Sequence, residues 1–177
     1  MALVDKHPTM ADRPLSIDIR HPLLLKANDL VLLTREDGEI VRDVPGYGLF
    51  YRDTCYLAAY ALRLHGTEPL LLMSSDEQGY AAGIALANRG FPNLEGRSVA
   101  DHQISIRRSF IVVDDGRPIW NDTISFCNFG AEALILPIAL ELSTLFESMF
   151  VLRGASPGAR GVLHPPKRGR ERAPFLL

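Results

Sequence analysis

The chain has 177 residues, 47% of them hydrophobic and 23% charged, with 19 Lys and Arg against 21 Asp and Glu. That length suits one domain with tails, burying roughly 70% of the unfolded surface. A net charge of −2 excludes a field that would gather nucleic acid or anionic lipid, and two cysteines outside any CxxC pair exclude a disulfide scaffold.

Residues 1–22 read as a flexible lead-in, mixing Asp5, Lys6, Asp12, Arg13 and Asp18 with Pro8 and Pro14 and lacking the apolar stretch of a signal peptide. With no apolar run long enough to span a membrane, the sequence predicts a soluble, cytoplasmic protein. From Leu23 the signal is short strands. Leu30 to Thr34 is β-prone, Asp37-Gly38 marks a hairpin, and Glu39 to Val41 is its expected return strand. Tyr56, Ala58, Tyr60, Leu62 and Leu64 alternate on one face of a single strand, with Arg63 on the other. His65-Gly66 turns the chain into Pro69 to Met73, which reads as a central strand, and alanine-rich Tyr80 to Asn88 follows as a further strand.

His102 to Val113 has the clearest pattern. Ile104, Ile106, Phe110 and Val112 share a face interrupted by Arg108, and Gln103, Ser105, Arg107 and Ser109 share the other. Asp114-Asp115-Gly116 turns into Pro118 to Asn128, and Asn128-Phe129-Gly130 turns into Ala133 to Leu142, which predicts a three-stranded meander. Thr144 to Met149 has room for one helical turn. No longer stretch has a capped 3.6-residue period. The expectation is an all-β fold, an antiparallel β-sandwich of about nine strands over residues 23–152. Residues 153–177 read as loop, including the basic run Lys167-Arg168-Gly169-Arg170. Their end, Ala173 to Leu177, resembles the start of another strand and suggests a truncated larger protein.

No phosphate-binding glycine loop, HExxH or nucleophile elbow occurs, so neither a cofactor nor a metal is called for. A glycosidase needs two carboxylates about 5–10 Å apart, and Asp53, Asp101, Asp122, Glu141 and Glu147 lie near apolar sequence. Asp122 shares a strand face with Trp120 and Ile124, where an acid is normally paired, and Arg108 on the neighbouring strand is its expected mate. Catalysis by Asp53 or Asp122 with Glu141 or Glu147 is the alternative. Tyr51, Arg52 and Asp53 form a dense polar and aromatic group, read as an extended segment. Asp53 is placed to cap the turn into the next strand, and Arg52 to anchor a distant carboxylate. Tyr47, Phe50, Tyr51 and Trp120 have the chemistry to stack on sugars or to fill a core.

The run Gly48-Leu49-Phe50-Tyr51-Arg52-Asp53-Thr54, then Leu62-Arg63-Leu64-His65-Gly66 and Pro69-Leu70-Leu71-Leu72, resembles the N-terminal domain of bacterial glycogen-debranching-type (amylo-α-1,6-glucosidase-like) proteins. The likeness extends through Ile106-Arg107-Arg108-Ser109, Asn128-Phe129-Gly130, Leu136-Pro137-Ile138 and Phe146 to Gly154, and on to Arg160-Gly161. Cys55 stands where that family usually has arginine, and His65 where it has asparagine. Ser148 and Leu152 replace residues that are usually acidic and Val-like. The resemblance implies a non-catalytic β-sandwich that precedes a helical-barrel glycoside hydrolase domain, with that barrel as the partner and α-glucan as a further candidate. It also implies a substrate-binding or interdomain role for Tyr51, Arg52, Asp53 and Arg63, and it calls for no nucleic acid or membrane partner.

Overall fold

A computed structural model describes residues 22–42, 44, 46–92, 98–152 and 154–156. The expected lead-in before residue 22 and the loop, basic run and strand start beyond residue 156 lie outside the described residues.

The fold is an antiparallel β-sandwich. One layer runs β1 (Leu23–Ala27), β2 (Leu30–Thr34), β3 (Gly48–Tyr51), β4 (Thr54–Leu57) and, from far along the chain, β13 (Glu147–Ser148). The chain order between them supplies β5 (Ala59–Leu64), β6 (Leu70–Glu77), β7 (Ala81–Ala87), β8 (Phe91–Pro92), β9 (Ser98–Val99), β10 (Ile104–Asp114), β11 (Pro118–Asn128) and β12 (Ile138–Ser143). The second layer is β11-β10-β7-β6, while β12 pairs with β5 and β8 with β9. A four-residue helix, α1 (Met149–Leu152), follows β13, so the helical turn sits a few residues later than the sequence suggested.

Period-two patterning produces the core directly. Leu23 and Leu25 of β1, Leu30 and Leu32 of β2, and Ile104, Ile106, Phe110 and Val112 of β10 are buried, and they meet Ile84 and Leu86 of β7 between the layers. Gly38 (φ +79) closes the turn after β2, and a Cβ there would lie 2.7 Å from the Phe110 ring. Glycine is therefore required by both backbone and packing.

Four local expectations change. Tyr56 to Leu64 is not one strand: it breaks at Ala58 into β4, on β3, and β5, on β12, because Tyr56 faces solvent while Tyr60 faces the core. The Asp37-Gly38 turn forms, but the return segment does not lie on β2, whose two edges are taken by β1 and β3; instead Ile40 bridges Tyr60 and is buried. Pro69 to Met73 belongs to an edge strand, β6, bulged between Leu71 and Met73 and with Leu72 and Met73 exposed. Finally, β10 and β11 form the expected hairpin, but β12 leaves that meander to set its apolar residues beside Leu64, Leu62 and Tyr60 of β5.

Candidate functional site

The residues singled out in the sequence fall into three places. The first is the β3–β4 hairpin. Arg52 (φ 47) and Asp53 (φ 62) are its two central residues, both left-handed, which is the requirement of a tight hairpin turn usually met by Asn-Gly. They are thus a turn and not an extended segment. Asp53 holds the turn through its backbone, its carbonyl accepting from Met149 N at 2.7 Å. Among the described residues its carboxylate makes no capping bond. The Arg52 guanidinium lies 3.6 Å from Asp29 and 5.2 Å from the Tyr51 ring centre, and both charged groups are largely exposed, so the pair adds little stability. Around the turn Tyr51 and Tyr56 approach at 6.5 Å, and Tyr56 meets Phe146 edge-on at 5.6 Å, with Tyr56 and Phe146 exposed. Glu147 sits on β13 opposite Cys55, so it and Asp53 lie at the same end of the layer.

The second place surrounds Arg63. Its guanidinium binds Glu39 at 2.6 Å and lies 3.5 Å from Glu68 and 3.8 Å from Glu141. Arg35 also binds Glu39, at 2.5 Å, and pairs with Asp37. The Asp37 hydrogen bond raises the Arg35 pKa above its ordinary value against the opposing effect of burial. A cleft of about 240 Å³ opens here, lined by Arg35, Glu39, Ile40, Arg42, Arg63 and Glu141 among others. Sequence reading missed Arg35, Glu39 and Glu68 as partners of Arg63. The signal was the density of charge at the Asp37-Gly38 turn, which folds Arg35 back onto Asp37 and Glu39.

The third place is inside the sandwich. Arg108 donates to Asp122 Oδ2 at 2.7 Å from Nη2 and 3.3 Å from Nε, and to the Asp37 carbonyl at 3.1 Å; the two charged side chains are 1% and 5% exposed. The expected pairing therefore forms, diagonally across β10 and β11, where Arg108 faces Ile124 and Phe110 faces Asp122. Tyr60 also donates to Asp122 Oδ2, at 2.6 Å, and its ring stacks edge-on with Trp120 at 4.8 Å. Burial, with the Asp122 hydrogen bond, pushes the Tyr60 pKa up, keeping its proton in place as donor. Asp122 Oδ1 and Trp120 Nε1 are buried without a hydrogen-bond partner among the described residues. Trp120 is thereby a packing residue.

Among the described residues no hydrogen bond or ion pair joins the hairpin group Tyr51, Arg52 and Asp53 to the Arg63 cluster. Of the carboxylates, Asp122 is committed to Arg108 and Tyr60 in the core, Glu141 stands beside Arg63, and Asp53 and Glu147 lie by the hairpin. Among the described residues no group of three or more His, Cys, Asp or Glu is arranged to hold a metal, and no helix is long and apolar enough to cross a membrane. A family model described as the N-terminal domain of (some) glycogen debranching enzymes matches residues 25–175. No curated protein and no solved structure matches the chain.

Proposed function

The chain belongs to the family of N-terminal domains of glycogen debranching enzymes, and from that premise we propose that it is a non-catalytic support domain. It packs on a helical-barrel glycosidase domain and shapes the path of an α-glucan to that barrel. The observation that carries the reading is the β3–β4 hairpin: a strained Arg52-Asp53 turn flanked by the exposed rings of Tyr56 and Phe146. Left-handed non-glycine residues cost stability and persist where a contact gains from them, and exposed aromatics with arginine are the composition of interface centres. The same patch has the chemistry to stack on sugar rings, which keeps a glucan-binding module as the second reading. A small glycosidase using Asp53 or Asp122 with Glu141 or Glu147 is the third, and the burial of Asp122 disfavours it.

Mixing the purified chain with a separately produced helical-barrel domain of a debranching enzyme tests this. The expected result is binding that weakens about tenfold in Arg52→Ala or Tyr56→Ala, the scale of a single interface anchor. Absence of binding together with retardation of the chain in a glycogen-containing gel moves the assignment to the binding module. Glucose release from a branched dextrin by the chain alone overturns the non-catalytic reading.

A further inference from the structure

The outer edge of β12 is unmatched. β12 pairs with β5 through Ile138 with Leu64, Leu140 with Leu62 and Leu142 with Tyr60. Directly opposed residues of antiparallel strands share a face, so the three apolar side chains of β12 stand on the core-facing side. Their partners on β5 are buried, yet Ile138, Leu140 and Leu142 are 46%, 47% and 63% exposed. β12 ends its two-stranded sheet, so its second backbone edge has no strand beside it among the described residues. A row of open donors and acceptors beside an apolar face is a template for another strand.

We propose that this edge pairs with the β12 edge of a second copy of the chain, about a two-fold axis through Leu140 perpendicular to the sheet. The argument is self-complementarity. Such an axis sets residues of one face opposite residues of the same face, which leaves three registers in the middle of the strand. Centring on Glu141 brings two carboxylates together, which is unfavourable. Centring on Ala139 sets Leu142 against Leu136 and Glu141 against Pro137, both outside the strand. Centring on Leu140 sets Leu140 on Leu140, Ile138 on Leu142, and Glu141 on Ala139, so the three large apolar side chains meet one another and no charge meets its own copy. Arg63, whose main partner is Glu39, lies 3.8 Å from Glu141, the one acid of the strand. The joined sheet then runs β5-β12-β12-β5 with a continuous apolar face. This surface is separate from the hairpin patch and does not depend on the barrel contact.

Analytical ultracentrifugation of the 177-residue chain over a wide concentration range tests the proposal, with a reversible dimer expected. Leu140→Lys, at an exposed position, should raise the dissociation constant by about thirtyfold or more while the circular-dichroism melt stays in place. In a Cys127→Ser background, Leu140→Cys should cross-link to itself on mild oxidation, since opposed Cα atoms lie about 5 Å apart. Leu142→Cys should not, because the two copies are offset by four residues, about 13 Å along the strand. A monomer at every concentration, a dimer indifferent to Leu140→Lys, or equal cross-linking from both cysteines overturns the proposal. So does a monomer whose residues 138–143 exchange amide hydrogens slowly, which assigns the edge to another segment of the same chain.

Discussion

The β3–β4 hairpin and the Arg108–Asp122 pair each bring an arginine and an aspartate together within apolar sequence, and they end in opposite environments. At the hairpin the two residues are adjacent in the chain, exposed, and held in left-handed conformations. In the sandwich they come from neighbouring strands, lose almost all contact with water, and share their hydrogen bonds with Tyr60 and the Asp37 carbonyl. At the hairpin Arg52 and Asp53 do not pair with each other; Arg52 lies beside Asp29 in an exposed pair that contributes little to stability, and both remain available to a partner. Buried, the Arg108–Asp122 pair is tied to the fold, because neither charge tolerates the loss of the other. The same residue types thus mark an available surface in one place and a structural link in the other.

The largest expected effect breaks the buried side of this contrast. Arg108→Met strands the Asp122 carboxylate and should cost about 3–5 kcal/mol in urea unfolding, while the double variant Arg108→Met with Asp122→Leu should recover most of that loss. If the single variant unfolds at the native midpoint, the buried pair is not structural. Next in size, Gly38→Ala forces a Cβ to 2.7 Å from Phe110 at φ +79 and should cost about 2–3 kcal/mol by the same measurement. The hairpin should respond with the opposite sign. Replacing Arg52-Asp53 by Asn-Gly relieves two left-handed residues and should raise stability by about 1 kcal/mol, while weakening association with a barrel domain. A loss of stability there would mean that the turn is held by contacts of its own and is not kept for a partner.

A separate effect is seen in alkali. Burial pushes the Cys55 thiol from 9.0 up to about 11. A folded state that keeps this proton after the unfolded chain has lost it becomes less stable as pH rises from about 9 through about 11. Cys55→Ala should flatten that decline in urea midpoints measured across the window, and an unchanged slope would assign the decline elsewhere. The raised Tyr60 acts in the same direction.

What was legible in the sequence was whatever repeats with period two. The core face of β10, the β10–β11 hairpin and the Arg108–Asp122 link all follow from side-chain alternation, which is a local property. Partner choice between strands was not legible, because alternation does not say which strand lies alongside. Hence the return segment at Ile40 bridges β5, and β12 crosses to the same strand. The break at Ala58 was hidden because Tyr56 and Tyr60 continue one alternating face while facing solvent and core respectively. The Arg52-Asp53 turn was missed because Arg52, unlike Asp53, is not a usual left-handed former, and the run reads as extended through it. His65 (φ 49) is similar: it occupies the left-handed turn position where the resembling motif has asparagine. The charges around Arg63 come from β2's turn, β5, Glu68 and β12, and only the folded chain brings them into one cleft.

The pairing of β5 with β12 also orders events in time. It joins Leu64 to Ile138 and Ala59 to Ser143 across the whole second layer, so a large loop must close before the contact is rewarded. β1, β2, β6 and β7 form from neighbouring stretches of chain and can assemble as they leave the ribosome. β5 must wait, with Tyr60, Leu62 and Leu64 uncovered on one side, until Ser143 has been synthesised. β12 thus arrives after every strand of the second layer, and until it does the unpaired edge of β5 is open to mispairing.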